Sequence, residues 1–150
     1  MSIEVRNETE TPIDEHEFVR LGAFVLQAMY VSPGADVSLR FVDEAAMEAL
    51  HVRWLDLPGP TDVMSFPMDE LVPGTPSQPT PEGILGDVVI CPSVAAAQAQ
   101  AAGHTAAEEM LLLFVHGMLH LLGYDHAEVE EEKEMFALQR HLLLTFLAQS

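Results

Sequence analysis

The stretch "HGMLHLLGYDH", residues 116 to 126, sets three histidines, His116, His120 and His126, into the most apolar part of the chain. On a helix four residues advance 400°, so His116 and His120 lie about 40° apart on one face and about 6 Å apart along the axis. Two imidazoles so placed can bind one metal ion. Gly123 stands where a helix needs a residue tolerant of positive φ to end, which lets the chain turn and bring His126 back to the same point. Imidazoles buried without partners are costly, and one metal ion satisfies all three together. Three histidines that leave a position open for water are a donor set of catalytic zinc, so one Zn2+ ion is the expected cofactor. Structural zinc prefers four protein ligands, commonly cysteines, and Cys91 is the only cysteine here. A lone histidine is more often a hydrogen-bonded core or surface residue; the grouping of three is what favours the metal centre.

The spacing H-x3-H-x2-G-x2-H equals that of the metzincin peptidase motif H-E-x-x-H-x-x-G-x-x-H, except that Gly117 stands in place of the general-base glutamate. A peptidase needs that base to carry a proton from the zinc-activated water to a leaving amine, whereas a phosphate ester leaves with less help. The motif therefore points to a metal-dependent hydrolase and away from a conventional protease. Asp125 has three readings: a carboxylate supporting the third histidine, a fourth ligand, or, with Glu128 at capping-box spacing, the cap of the last helix. His16, His51, His104 and His141 lack such grouping and read as surface or helix-end residues.

Six cations against 24 carboxylates give a net charge of -18. Such a surface repels nucleic acid and acidic membranes at long range, so any phosphate binding must rest on a few arginines or on a metal. No window reaches the roughly 18 consecutive apolar residues that a membrane span needs, and "MSIEVRNETE" lacks the basic and apolar regions of a secretory signal. The expectation is a soluble cytoplasmic protein with no membrane partner.

The elements that must hold the histidines follow from periodicity. With 150 residues, 49% of them apolar, the chain has material for one core and is expected to form a single domain over 1–150. Ile3 and Val5 alternate as in a strand, and a helix starts near Asp14, shows Phe18, Leu21, Val25 and Met29 on one face, and ends at Pro33 and Gly34. Val37, Leu39 and Phe41 alternate as in a second strand, and a helix runs from Glu44 to about Trp54, where "LPGP" stops it. "TDVMSFP" reads as a strand, residues 69–83 with four prolines as an exposed irregular loop, and "ILGDVVIC" as a buried strand closing on Cys91 in the core. Pro92 and Gly103 bracket a helix, Thr105 and Glu108 cap the apolar helix that carries the histidines, and an acidic turn from about Ala127 opens the last one. The class is α/β (α+β), with a small mixed sheet of about four strands and about five helices.

"HGMLHLLGYDH" resembles the signature of the YbeY family of bacterial endoribonucleases. "PTDVMSFP" (60–67) and "LGDVVIC" (85–91) are similar to the family's P-T-D-V-L-S-F-P and L-G-D-[IV]-V-[IL]-C. The resemblance implies an α/β fold, a zinc site of His116, His120 and His126, and cleavage of single-stranded RNA. It also implies partnership with the small ribosomal subunit and a role in late processing of 16S ribosomal RNA; no small-molecule cofactor is expected. The family commonly carries Tyr-Arg shortly before P-T-D-V, where this chain has Trp54 and Leu55. Arg53 is the nearest substitute and the candidate catalytic residue, with Arg40 a second cation able to offset developing charge; Arg53 reads equally as a cation favouring a helix C-terminus. Two other functions fit the same motif: a zinc hydrolase of peptides or small molecules, and a non-catalytic ribosome assembly factor with a structural metal.

Overall fold

The computed structural model describes residues 2–32 and 34–149. Four strands, β1 (Ser2–Asn7), β2 (Asp36–Phe41), β3 (Val63–Pro67) and β4 (Ile84–Ile90), alternate with or precede five helices: α1 (Glu15–Ala28), α2 (Glu44–Leu55), α3 (Pro92–Ala102), α4 (Ala106–Leu121) and α5 (Val129–Ala148). The strands form one mixed sheet in the order β1-β2-β4-β3. β1 pairs with β2 and β2 with β4 in parallel, and β3 runs antiparallel to β4 at the edge. This is the expected α/β class, with four strands and five helices among the described residues.

Burial explains the strand patterns. In β2 Val37, Leu39 and Phe41 are buried while Ser38 and Arg40 are half-buried, because helices cover mainly one face there. β4 lies between two strands with apolar residues packed on both faces, so Leu85, Val88, Val89 and Ile90 are all buried. The larger core joins α1, α4 and α5 to one face through residues such as Phe18, Leu39, Val88, Phe114 and Phe146. A smaller cluster of Val42, Met47, Met64, Val89 and Cys91 lies on the other face beside α2. Helix α4 is central: Thr105 and Glu108 close the expected capping box, and the apolar run behind it is buried on nearly every side.

Two expectations are corrected, and a third, the exposed irregular loop over 69–83, holds with one refinement. Helix α1 ends at Ala28, and Tyr30 turns the chain at φ 56, before Gly34 is reached; Pro33 lies outside the described residues. Residues 69–83 form no helix or strand, yet part of the loop is held against the α1–β2 connection. Gly74 donates to the Met29 carbonyl, Thr80 N–H to that of Tyr30, and the Thr80 side chain, 4% exposed, to the Val72 carbonyl. Helix α5 starts at Val129 with Glu128 as an N-cap that makes no side-chain bond. The Asp125–Glu128 capping box does not form, because the N-cap falls at Glu128 rather than Asp125; the Asp125 carboxylate accepts from the His126 N–H at 2.7 Å. Among the described residues no helix is long and apolar enough to cross a membrane.

Candidate metal centre

Helix α4 presents His116 and His120 one turn apart and stops one residue later. Gly123 takes φ 95, its N–H donates to the His120 carbonyl, and the Tyr124 N–H donates to that of Leu119. Those two bonds make the left-handed helix stop known as the Schellman motif, in which a glycine avoids the Cβ penalty of positive φ. The reversal brings His126 back. His116 and His120 ring centroids are 4.5 Å apart, and that of His126 lies 5.6 Å from the first and 5.2 Å from the second. One ring nitrogen from each falls within 4.8 Å of the others. His116 and His120 are half-buried and His126 is exposed, so the group is open on one side.

The hydrogen bonds around the rings fix which nitrogens face one another. Gln139 on α5 places its Oε1 2.8 Å from His116 Nδ1, so Nδ1–H donates and the Nε2 lone pair is left free. The His120 Nε2 atom lies 3.0 Å from that of His116, close enough for the two to share a proton or, in its place, a cation. Two zinc–nitrogen bonds of about 2.0–2.1 Å at a tetrahedral angle set their nitrogens about 3.3 Å apart, close to what the rings already show. Burial, the largest effect on both rings, pushes His116 and His120 below the ordinary histidine value of 6.5, so the neutral, electron-donating form is favoured. For His116 the Gln139 bond and the Asp62 carboxylate act in the opposite direction, and His126 adds to the lowering. Asp125 is not one of the converging ligands; its charge acts on His120 from outside the group.

Gln139 and Phe136 were not found by sequence reasoning. They lie 23 and 20 positions beyond His116 on another helix, and nothing in their spacing marks them. Phe136 packs against His116 and His126 with ring centroids 6.0 and 5.9 Å away. Gln139 orients the His116 nitrogen that faces the other two rings, and groups that so support a metal ligand typically control metal affinity by about 10–100-fold. Gln139→Leu, which removes the acceptor at similar volume, is expected to weaken zinc binding within that range, read by competition with a chromogenic chelator; unchanged affinity would show that the amide does not set the His116 tautomer.

The histidines open into a cleft of about 920 Å³ bounded by the end of α2, the free edge of β3, α4 and α5. Backbone direction along β3 follows from two bonds: Cys91 N–H to the Asp62 carbonyl and Met68 N–H to that of Leu85. Even-numbered residues thus point their backbone at β4, and Val63, Ser65 and Pro67 point theirs outward. The Val63 N–H is taken by the Asp62 carboxylate at 2.8 Å and Pro67 has none, which leaves the Ser65 N–H as the outward donor of the strand. Such an edge is poorly suited to receive a peptide as an added strand. Glu109, 9% exposed, lines the cleft on α4 and pairs with His104 at 2.5 Å, so His104 is a helix-end residue with a buried partner. His51 bonds through Nδ1 to the Gly59 carbonyl, and His16 and His141 are exposed. Arg53 does not line the cleft; its guanidinium lies 5.2 Å from the ring of Trp54, which does. Arg40 is 3.6 Å from Glu8, near the far edge of the sheet.

Gly117 has a structural reason of its own. A Cβ built there would come within 2.7 Å of Val88 Cγ1 and 3.1 Å of Ser65 Oγ, so this side of α4 rests on β3 and β4 with no space for a side chain. Ser65 also donates its hydroxyl to the Gly117 carbonyl at 3.2 Å. The position that carries the base in metzincins faces the sheet in this protein.

A family model described as Endoribonuclease YbeY matches residues 3–147. The Endoribonuclease YbeY of Beutenbergia cavernae is 61% identical over 148 residues, covering 99% of each chain. That of Clavibacter sepedonicus is 58% identical over 146 residues, 97% of this chain and 95% of its own. A Thermotoga maritima protein solved in solution superposes with a TM-score of 0.66 at 25% identity, over 98% of this chain and 90% of that one.

Proposed function

Because the chain belongs to the Endoribonuclease YbeY family, we propose that it is a zinc-dependent endoribonuclease that cuts single-stranded RNA. The observation that carries this reading is the convergence of His116, His120 and His126 at one end of an open cleft. When bound there, zinc supplies a Lewis acid and lowers the pKa of a coordinated water toward about 7.

The chain's own residues do the rest of the work. Gln139 holds the Nδ1 proton of His116 away from the metal side. Phe136 packs against two of the rings and shields that side of the site. The Ser65 N–H, aimed out of β3 into the cleft, is placed to donate to a phosphate oxygen. Arg53, at the rim beside Trp54, is the cation we assign to offset charge on the phosphodiester. The blocked edge of β3 and the steric closure at residue 117 both weigh against peptide as the substrate.

We extend the proposal to the 3' end of 16S ribosomal RNA and to late assembly of the small subunit in the cytoplasm. A net charge of -18 predicts weak binding of free RNA with a shallow salt dependence, so a ribosomal partner is required to deliver the strand.

The test is a cleavage assay on single-stranded and duplex RNA after chelation and after zinc is restored. Cleavage of the single strand that disappears with chelator and returns with zinc is expected. Zinc-loaded protein that cuts no RNA but hydrolyses peptides would overturn the reading. The same assay on Arg53→Ala, with zinc binding intact, is expected to show a slower cut; an unchanged rate would remove Arg53 from the reaction.

A further inference from the structure

Helix α2 is weakly anchored: Met47 is its one buried residue, and its last turn leaves Trp54 57% exposed and Leu55 56% exposed. The exposed indole is nevertheless held in place. Its ring meets Phe66 of β3 at 5.9 Å between centroids and 68° between planes, and the Arg53 guanidinium lies 5.2 Å from it. Asp56 ends the helix in the left-handed conformation immediately afterwards, which fixes the turn that carries Trp54. Trp54 and Phe66 line the same cleft as the three histidines.

We propose that Trp54 and Phe66 form a stacking subsite for one nucleobase of the RNA strand whose phosphodiester lies at the metal centre, with Arg53 facing the adjoining phosphate. The inference rests on the endoribonuclease reading and deepens it to the level of substrate recognition. A protein with six cations against 24 carboxylates gains little affinity from phosphate contacts, whereas stacking on an aromatic ring is indifferent to net charge. Stacking also selects single strands, because a base inside a duplex is already stacked and cannot be splayed onto a side chain. The cleft therefore carries its own device for strand selection, separate from the metal.

Trp54 is the only tryptophan of the chain, so its emission reads the subsite directly. Zinc-loaded protein would be titrated with a 2'-O-methyl oligoribonucleotide, the same backbone with abasic positions, and the duplex. Quenching by the base-bearing single strand is expected, with little from the other two. In cleavage assays Trp54→Leu is expected to raise KM about tenfold, in line with the loss of one stacked base, with a smaller effect on kcat and none on zinc affinity; Trp54→Phe restores most of the loss. If wild type cuts RNA but the abasic strand quenches equally, or Trp54→Leu leaves KM unchanged, the subsite is refuted and the nuclease reading stands. Quenching instead by small-subunit proteins would make the patch a protein-docking site. If zinc-loaded wild type neither cuts nor binds RNA, both inferences fall.

Discussion

His120→Ala is expected to remain folded, to lose zinc and to lose single-strand cleavage by at least about 10²-fold. Removing a group that merely supports a ligand costs about 10–100-fold, and His120 is placed as one of the three donors themselves, flanked by His116 on one side and His126 on the other. The fold should survive because the ring is half-buried and its backbone bonds belong to α4 and its stop. Thermal unfolding separates a lost site from a lost fold. Zinc at one hundred times its Kd should stabilise the wild type by about 2.7 kcal/mol, since it binds only the folded chain. The variant should melt near the metal-free wild type and gain nothing from zinc. A His120→Ala protein that still responds to zinc and cuts at the wild-type rate would show that the three histidines are not the metal centre.

The features legible in sequence are those encoded over one or two turns. The capping box at Thr105, the apolar length of α4, the glycine stop and the spacing of His116, His120 and His126 all lie within 22 consecutive positions, from 105 to 126, and all are present as expected. The strands were legible for the same reason, since Val37, Leu39 and Phe41 alternate locally. What was hidden is long-range. Gln139 reaches His116 from another helix, Phe66 reaches Trp54 across the gap between β3 and α2, and Glu109 holds a histidine that sequence left without a partner. Local rules also misled at the start of α5. Asp125 has capping-box spacing to Glu128, but the helix starts only at Val129, and the Asp125 carboxylate is left to accept from the His126 N–H. Arg53 was singled out by position in the chain, and the fold turns it onto Trp54 at the rim of the cleft.

Gly117 joins these two scales and carries the second large prediction. On its own it marks a missing catalytic base; beside the sheet it marks a close approach of α4 to β4, where Val88 leaves no room for a Cβ. Val88 is fully buried and β-branched, so its side chain cannot swing aside for a Cβ 2.7 Å away, and the helix itself must lift. Gly117→Ala should therefore destabilise by about 1–3 kcal/mol from overpacking, reduced by up to about 1 kcal/mol because alanine is the better helix former. Zinc affinity should fall with it, because lifting α4 moves His116 and His120 relative to His126 and Gln139. Adding Val88→Ala opens the space, so the double variant should lose less than the two single losses combined when unfolding midpoints are compared. Gly117→Glu places an unpaired carboxylate in the same contact, at a cost of several kcal/mol against a total stability of about 5–15, and should yield no folded protein. A Gly117→Glu chain that folds, binds zinc and cuts peptides would reverse the argument: the glycine would then be a choice of chemistry, and the contact with Val88 its consequence.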